Sequence, residues 1–584
     1  MSKRAFVLFA MACLAMAITS CEAGNPKTRK VLSEWSRGQQ VGLAALNQPI
    51  GLLAENDYAH LVFVEAEGNR LRYVRLSSSG NIDFTIDLVI ETAHPAYPKL
   101  FLSMDSALGV LWTDNPGIPR ALFLARFNRD GQLLTGPTQL SPANARVSDY
   151  YALARNQDGS VDVFWSDEIP TDGGIHHLQL AADGQILSND RLLIPNAERP
   201  TVQVMSDGTI HLAWIEEPTI RVNHIYYAVF NPLARELSSK TKVGTYKTAT
   251  GLVSYSPVLG LDKGNAYLFW ALEQRGGGLT PGEAKTYFVS FPLEEPRENE
   301  ATILDIPGTA RPLYQAVSGS LPYQQLASAE AGWPTSLLYM PEVLSGQREE
   351  LGVLLVGEVA TQRKSSREVV YVVLAGGKIK GYQVPTKIGN ALRPTGVIDA
   401  EGNVHLTWLN AGGFGRYEVY YASTSAAVKA NLDRVTVQDR AMDFLESLWG
   451  LAPALGFFPP IFLLWNFAPF AWVIIFYFVK VEGGLERRPS QVALVIAILL
   501  YLFSKLFLMP GVLLYAPFLD KLPPHLHFLP VLGTPLFTLL MALGAMWLYF
   551  RRTKYRSLFT AYLIFVLTDI LLSLIIYVPR WLEG

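Results

Sequence analysis

The sequence predicts an all-β propeller followed by an α-helical transmembrane bundle of four helices. Three observations predict it. An apolar strand ending in an aromatic residue recurs along the chain, turn residues separate its copies, and four long apolar runs follow residue 440. With 584 residues the chain exceeds what one hydrophobic core usually organises, so two or more domains are expected.

The recurring strand reads HLVFVE at 60–65, GVLWTD at 109–114, VFWSD at 163–167, IHLAWIEE at 210–217, YLFWALE at 267–273 and VHLTWLN at 404–410. A weaker copy, GVLLVGE, lies at 352–358. The anchors Phe63, Trp112, Trp165, Trp214 and Trp270 are spaced by about fifty residues, the length of a four-stranded propeller blade. Ahead of the copies comes another apolar strand, often opened by Pro98, Pro200, Pro257 or Pro394, and in some copies a turn such as Asp207-Gly208 or Glu401-Gly402. Behind comes a strand often rich in tyrosine, and Asp130-Gly131 and Asp183-Gly184 then lead into a fourth strand as hairpin turns. Six copies are clear and the weak one makes seven, so seven blades are favoured over six. The long interval between Trp270 and Gly352 reads as a blade carrying an insertion. A pair of β-sandwiches is the competing architecture, because short alternating strands alone do not fix closure.

The N-terminus reads as an export signal: Lys3 and Arg4 precede an apolar run containing Phe6, Leu8, Phe9, Leu14 and Ile18, too short to span a bilayer. It ends in Ile18-Thr19-Ser20-Cys21, which resembles the lipobox of bacterial lipoproteins, where the cysteine is acylated; a neutral cysteine near an ordinary cleavage site is the alternative. Cys13 and Cys21 are the only cysteines, so the exported domain has no disulfide, no thiol catalyst and no cysteine metal site. The expected organisation is a signal peptide at 1–21, a linker at 22–44, the propeller at 45–430, a linker with an interfacial amphipathic helix at 431–455, and the membrane domain at 456–584.

The four apolar runs cover 456–479, 492–515, 528–550 and 558–578, each near the ~20 residues that cross a bilayer. Lys480, Arg487 and Arg488 lie in the first connection, and Arg551, Arg552, Lys554 and Arg556 in the third. The second holds only Asp520 and Lys521. Basic loops favour the cytoplasm, which places the propeller and the C-terminus outside the cytoplasmic membrane. Within the runs, Asn466, Lys505 and Asp569 fall near mid-depth on three helices, and the two charges are expected to pair. Such a pair serves either to lock helices or to relay a proton or ion.

The acids that follow the aromatic anchors, Glu65, Asp114, Asp167, Glu216, Glu273 and Glu358, together with Asn410, are expected near one rim of the disc. They are the candidate ligand-binding residues; the competing role is capping of nearby backbone amides. Among the histidines, His211 and His405 share a repeat position, which argues for packing, and none has metal-ligand spacing. No G-x-S-x-G elbow or phosphate-cradling loop occurs, so no catalytic residue, cofactor or metal is assigned. A net charge of −2 without a basic stripe gives no reason to expect nucleic acid.

In the recurrence of an apolar, aromatic-ended strand once per blade over most of 50–425, the chain resembles the sialidase-like and BNR-repeat propellers. The S-x-D-x-G-x-x-W box and the framed arginine triad of that family are missing from the sequence. The resemblance implies a ligand site on the rim onto which the second strands open. The expected function is a membrane-anchored surface protein that binds a glycan, a peptide or a partner protein, with the bundle docking in the bilayer or on another membrane protein. A sialidase-like glycoside hydrolase, and a sensor or transport accessory using the bundle, are the alternatives.

Overall fold

The computed structural model describes residues 27–28, 32–55, 57–66, 69–115, 120–168, 173–274, 283–304, 325–326, 338–344, 349–360, 365–385, 389–412, 415–480, 484–508, 516 and 524–583. The signal segment with Cys13 and Cys21, the glycine run at 276–278, and Asp520 and Lys521 lie outside the described residues. Two compact units emerge, residues 24–434 and a unit containing residues 435–584.

The first unit is a seven-bladed β-propeller. Blade 1 holds strands Gly51–Ala54, Tyr58–Val64, Leu71–Ser77 and Ile82–Asp87; blade 2 holds Ala96–Leu102, Leu108–Asp114, Ala121–Phe127 and Leu133–Gln139. Blade 3 is built from Val147–Arg155, Val161–Asp167, Gly174–Leu180 and Arg191–Pro195. Blade 4 starts with Ala197–Val204, Ile210–Thr219 and Val222–Asn231, and Glu236–Leu237 and Thr241–Lys247 both pair with the third strand. Blade 5 comprises Leu252–Leu261, Asn265–Gln274, Glu283–Pro292 and Thr302–Ile303. Blade 6 comprises Leu338–Val343, Leu351–Ala360, Ser365–Ala375 and Lys378–Gln383, with Gln325–Leu326 also on its second strand. Blade 7 takes Ala391–Ile398, Val404–Ala411 and Tyr417–Ser423 from the end of the unit and its outer strand, Gln39–Ala44, from the beginning.

That last pairing corrects the sequence reading, which leaves 39–44 in a linker. Few residues mark so short a strand, and only its distant partner defines it. The innermost strands touch in succession around a ring, from blade 1 through blade 7 and back to blade 1. A short helix α1, Ala426–Leu432, places Val428 and Leu432 in the core between blades 7 and 1.

Each aromatic anchor sits on the second strand and closes the gap to the blade before it. Trp112 packs among Val62, Tyr73 and Leu88 of blade 1, Trp165 among Leu111, Leu122 and Leu124 of blade 2, and Trp214 against Phe164, Ile175 and Ile194 of blade 3. Trp270 and Trp408 repeat the arrangement against blades 4 and 6, and all five indoles are essentially fully buried. Burying a side chain of this size is worth roughly 2–3 kcal/mol, so each ring is a large single contribution to an interface that many smaller apolar side chains share. Blade 6 has no aromatic on its weak copy, and there Tyr267, Phe269 and Phe288 of blade 5 supply the rings.

Buried polar groups are matched within the blade. His60 meets the Tyr73 hydroxyl at 2.7 Å, His211 meets that of Tyr227 at 2.5 Å, and His405 meets that of Tyr421 at 2.7 Å. In blade 3 the same repeat position carries Asp162, bonded to His177 at 2.7 Å. Burial pushes the imidazoles of His60 and His211 down to about 4, so both are neutral at pH 7. The four Asp-Gly and Glu-Gly turns form as expected, with φ of 76, 80, 85 and 88° at Gly131, Gly184, Gly208 and Gly402.

The second unit is helical: α2 Val437–Lys480, α3 Arg488–Leu508, α4 Phe528–Arg552 and α5 Leu558–Glu583. Four stretches are long and apolar enough to cross a membrane, Pro459–Val479, Arg488–Phe507, Phe528–Arg552 and Leu558–Tyr577. The second differs from the sequence reading of 492–515: the helix starts at Arg488, with Pro489 in its first turn, where a missing N–H costs nothing. Large apolar side chains such as Phe467 and Phe478 remain more than 80 % exposed, as lipid-facing positions would, while Tyr501, Tyr562 and Phe565 fill the interior. The stretch 441–451 belongs to the same continuous helix as the first apolar run.

Candidate functional site

Within a blade the inner and second strands run antiparallel, so the start of one and the end of the other reach the same face. Ala96 lies opposite Thr113, Ala197 opposite Glu216 and Ala391 opposite Asn410. The seven sequence-derived candidates sit at this end of their second strands, and six of them are held by neighbouring groups of the chain. Asp114 accepts bonds from the backbone N–H groups of Ala93 and His94, and Asp167 from that of Arg146. Glu65 pairs with Arg72 at 3.3 Å and Glu216 with Lys240 at 2.7 Å. Glu216 also accepts from the Trp214 indole. Asn410 donates to Glu418, Glu358 faces Arg367 across the strand pair, and Glu273 accepts from the Tyr255 hydroxyl at 2.5 Å.

A second set of residues converges from different blades. In blades 2 to 7 the pairing of inner and second strand slips register, at Ala96/Lys99, Val147/Tyr151, Glu198/Thr201, Tyr255/Val258, Tyr339/Glu342 and Leu392/Thr395. Five of the six slips contain proline, at positions 98, 200, 257, 341 and 394. Proline cannot donate to the ladder and is accommodated in a bulge. These prolines therefore lie inside the inner strands and do not open them. The residue before the proline is left-handed in four blades: Tyr97, Arg199, Met340 and Arg393 have φ of 51, 59, 55 and 48°. Non-glycine residues in that region are strained, and such strain persists where the surrounding packing enforces it. A bulge also re-aims the side chains beside it.

The re-aimed side chains meet at the axis of the ring. The Arg199 guanidinium of blade 4 lies over the Tyr150 ring of blade 3 at 5.0 Å. Arg393 of blade 7 lies over Tyr255 of blade 5 at 5.8 Å, and the Tyr255 and Tyr339 rings of blades 5 and 6 are 5.9 Å apart. Arg367 covers Tyr339 at 5.8 Å, and Arg393 Nε donates to the Asn47 side chain at 3.4 Å. Blades 5 and 7 are not neighbours, so their side chains can touch only at the centre. Deeper in, Lys99 of blade 2 and Glu342 of blade 6 keep contact with solvent. Burial nevertheless pushes the Glu342 carboxyl up to about 7, opposed by Lys99 and Arg393. Burial likewise lowers the Lys99 ammonium, opposed by Glu342. Lys99 and Glu342 sit on the inner strands of opposite blades, beside the axial channel that a ring of seven inner strands encloses.

The sequence reading singled out none of Tyr97, Tyr150, Arg199, Tyr255, Tyr339, Arg367 and Arg393. For Tyr97, Arg199 and Arg393 the signal lay in the strand proline that follows each, and for Tyr255 and Tyr339 in the proline two residues on; Tyr150 and Arg367 carry no such mark. Among the described residues no group of three or more potential metal ligands occurs.

The bundle brings two of the three intramembrane residues together. Lys505, in the last turn of α3, donates to Asp569 of α5 at 2.5 Å and to Ser573 at 2.8 Å. Tyr501 donates to the same Asp569 oxygen at 2.7 Å. Asn466 of α2 accepts from Tyr562 at 2.6 Å and is not bonded to the charged pair.

Strand pairing and the ring of inner strands define a seven-bladed propeller, carried on one chain with a bundle of four long apolar helices. No protein-family model matches the sequence, and no match was found among curated proteins. Among solved structures, the endo-arabinase of Bacteroides thetaiotaomicron aligns at 13 % identity with a TM-score of 0.29, covering 45 % of this chain and 100 % of that one. The polysaccharide lyase Uly1 aligns at 10 % identity and a TM-score of 0.37, covering 65 % of this chain and 90 % of that one. An ulvan lyase aligns at 13 % identity and 0.32, covering 53 % and 78 %. Likenesses this distant say nothing about the ligand, and the architecture rests on the chain's own strand pairing.

Proposed function

We propose that this is a membrane-anchored surface protein whose propeller captures a glycan at the channel mouth while the bundle holds it in the bilayer. The carrying observation is the convergence of Tyr150, Arg199, Tyr255, Tyr339 and Arg393 from five blades on bulged strands. Flat aromatic faces beside side chains rich in hydrogen-bonding groups suit a sugar, which offers an apolar ring face and a rim of hydroxyls. Full-length protein in detergent, screened against glycan and peptide arrays, is expected to retain glycans. Tyr150→Ala and Arg393→Ala should each weaken retention by about tenfold without lowering the melting temperature. Retention of peptides alone, or of glycans equally by both variants, would sink the reading.

A second reading, glycoside hydrolysis, is favoured by one observation: the Tyr255 hydroxyl and Glu273 carboxylate lie 2.5 Å apart beneath Arg393. Release of reducing ends from a retained glycan, abolished in Glu273→Gln, would support it.

The positive loops and the N-terminal signal support a topology with the propeller and the C-terminus outside the cytoplasm, and acylation at Cys21 as an additional anchor. A cysteine placed at Gly584 should react with an impermeant label on intact cells, and one at Lys554 only after permeabilisation.

A further inference from the structure

We propose that the helical bundle is a proton pathway, with Asp569 as the group that takes up and releases the proton. The inference is independent of the glycan reading and stands or falls without it.

One face of α5 carries Tyr562, Asp569, Ser573 and Tyr577, at intervals of seven, four and four residues, all at most 1 % exposed. At 1.5 Å per residue they span about 22 Å of helix axis, most of the ~30 Å of a hydrocarbon core. The facing helices add Asn466, Tyr501, Lys505, Thr534 and Thr538, so every helix of the bundle contributes polar groups to this interior.

The carboxylate at the centre is served unequally. Oδ2 of Asp569 accepts from both Lys505 and Tyr501, while Oδ1 is buried with no hydrogen-bond partner among the described residues. Lys505 by contrast has its donors occupied by Asp569, Ser573 and Thr538. A helix-locking ion pair needs neither hydroxyls continuing away from it in both directions nor an acceptor left open in a lipid-surrounded interior, where such an atom is costly. The open acceptor gives an incoming proton an oxygen to bind, and the Lys505 ammonium beside it favours the proton's release.

The step balances on the chain's own groups. A proton that reaches Oδ1 along the polar face of α5 converts the carboxylate to a neutral carboxyl and the ion pair with Lys505 to a hydrogen bond. Its release restores the carboxylate and the ion pair, and Ser573 and Tyr577 continue the polar face of α5 beyond Asp569 as its way out. The titratable groups facing Asp569 are Lys505 and Tyr501 in contact, with Tyr562 and Tyr577 along its own helix.

The test uses full-length protein in liposomes loaded with a pH-sensitive dye, with a potassium diffusion potential driving proton entry. Wild type should acidify the lumen faster than protein-free liposomes. Asp569→Asn should slow this by at least about 100-fold, the lower range for loss of a proton-transferring group, and Tyr577→Phe by about tenfold. Because Asp569→Asn leaves Lys505 unpaired and can fail to fold, Lys505→Met/Asp569→Asn, which removes both charges, is run beside it with gel filtration and melting as folding checks. Acidification by wild type no faster than by this folded double variant overturns the proposal.

Discussion

In the propeller the buried imidazoles of His60, His211 and His405 each meet one tyrosine of their own blade, whereas in the bundle a single carboxylate, Asp569 of α5, is shared by two side chains of the facing helix α3. The difference follows from the solvent each region folds against. A propeller in water is closed by apolar burial, seven interfaces each with its own aromatic rings, so its polar locks are small, local and repeated. Helices in lipid gain no hydrophobic advantage from one another, so close packing and a few interior polar contacts must select their arrangement. Polar groups are therefore redundant in one unit and singular in the other.

The comparison is broken most directly at the charged pair. Lys505→Ala or Asp569→Ala strands one charge inside the bundle and should cost about 3–5 kcal/mol, read as loss of the bundle's unfolding transition in detergent. Replacing both, as Lys505→Met/Asp569→Leu, should recover most of that. If the single variants are as stable as wild type, the bundle does not depend on its central network.

Acid should act on the other unit first. His60 and His211 have folded-state values of about 4 against 6.5 for a free imidazole, both set mainly by burial. Between those values the unfolded chain holds protons that the folded blades exclude. Stability present above pH 6.5 is therefore lost as pH falls, up to roughly 3 kcal/mol per histidine at pH 4. The named groups of the bundle network include no histidine, so the propeller's melting temperature should drop between pH 7 and 5, by less than the two histidines alone would give because proton uptake at Glu342 opposes them over the same range, while the bundle's does not. His211→Gln should flatten the propeller's slope; an unchanged slope would mean that other groups carry the acid response.

Blade number and the aromatic interfaces were legible because they are written locally: an apolar strand, a ring and a turn recur at a readable period. The blade closure was not, since Gln39–Ala44 looks like any short polar-apolar run until Tyr417–Ser423 lies beside it. Nor was the channel mouth. A bulge is one residue of slippage, and Arg199 and Arg393 become neighbours of Tyr150 and Tyr255 only once blades distant in sequence are wrapped round an axis. In the bundle the Lys505–Asp569 pairing was legible because lone charges in lipid have so few ways to be satisfied, while Tyr501, Tyr562 and Ser573 passed for ordinary helix residues.

The smallest effect separates the two units by sign. Gly208 sits in a propeller turn at φ of 85°, and a methyl group there would find its nearest neighbour, Gln157, at 3.7 Å. Space is thus available and only the left-handed backbone opposes a side chain, so Gly208→Ala should cost about 1 kcal/mol. Gly544 lies within α4, exposed on the bundle, with nothing within 4 Å of the same position. There the helix itself favours alanine, and Gly544→Ala should gain up to about 1 kcal/mol. Melting of the two transitions measures both. A loss at Gly544 would mean that something closes on that face of the helix, and the bundle would then have to be treated as packing against a protein surface and not against lipid alone.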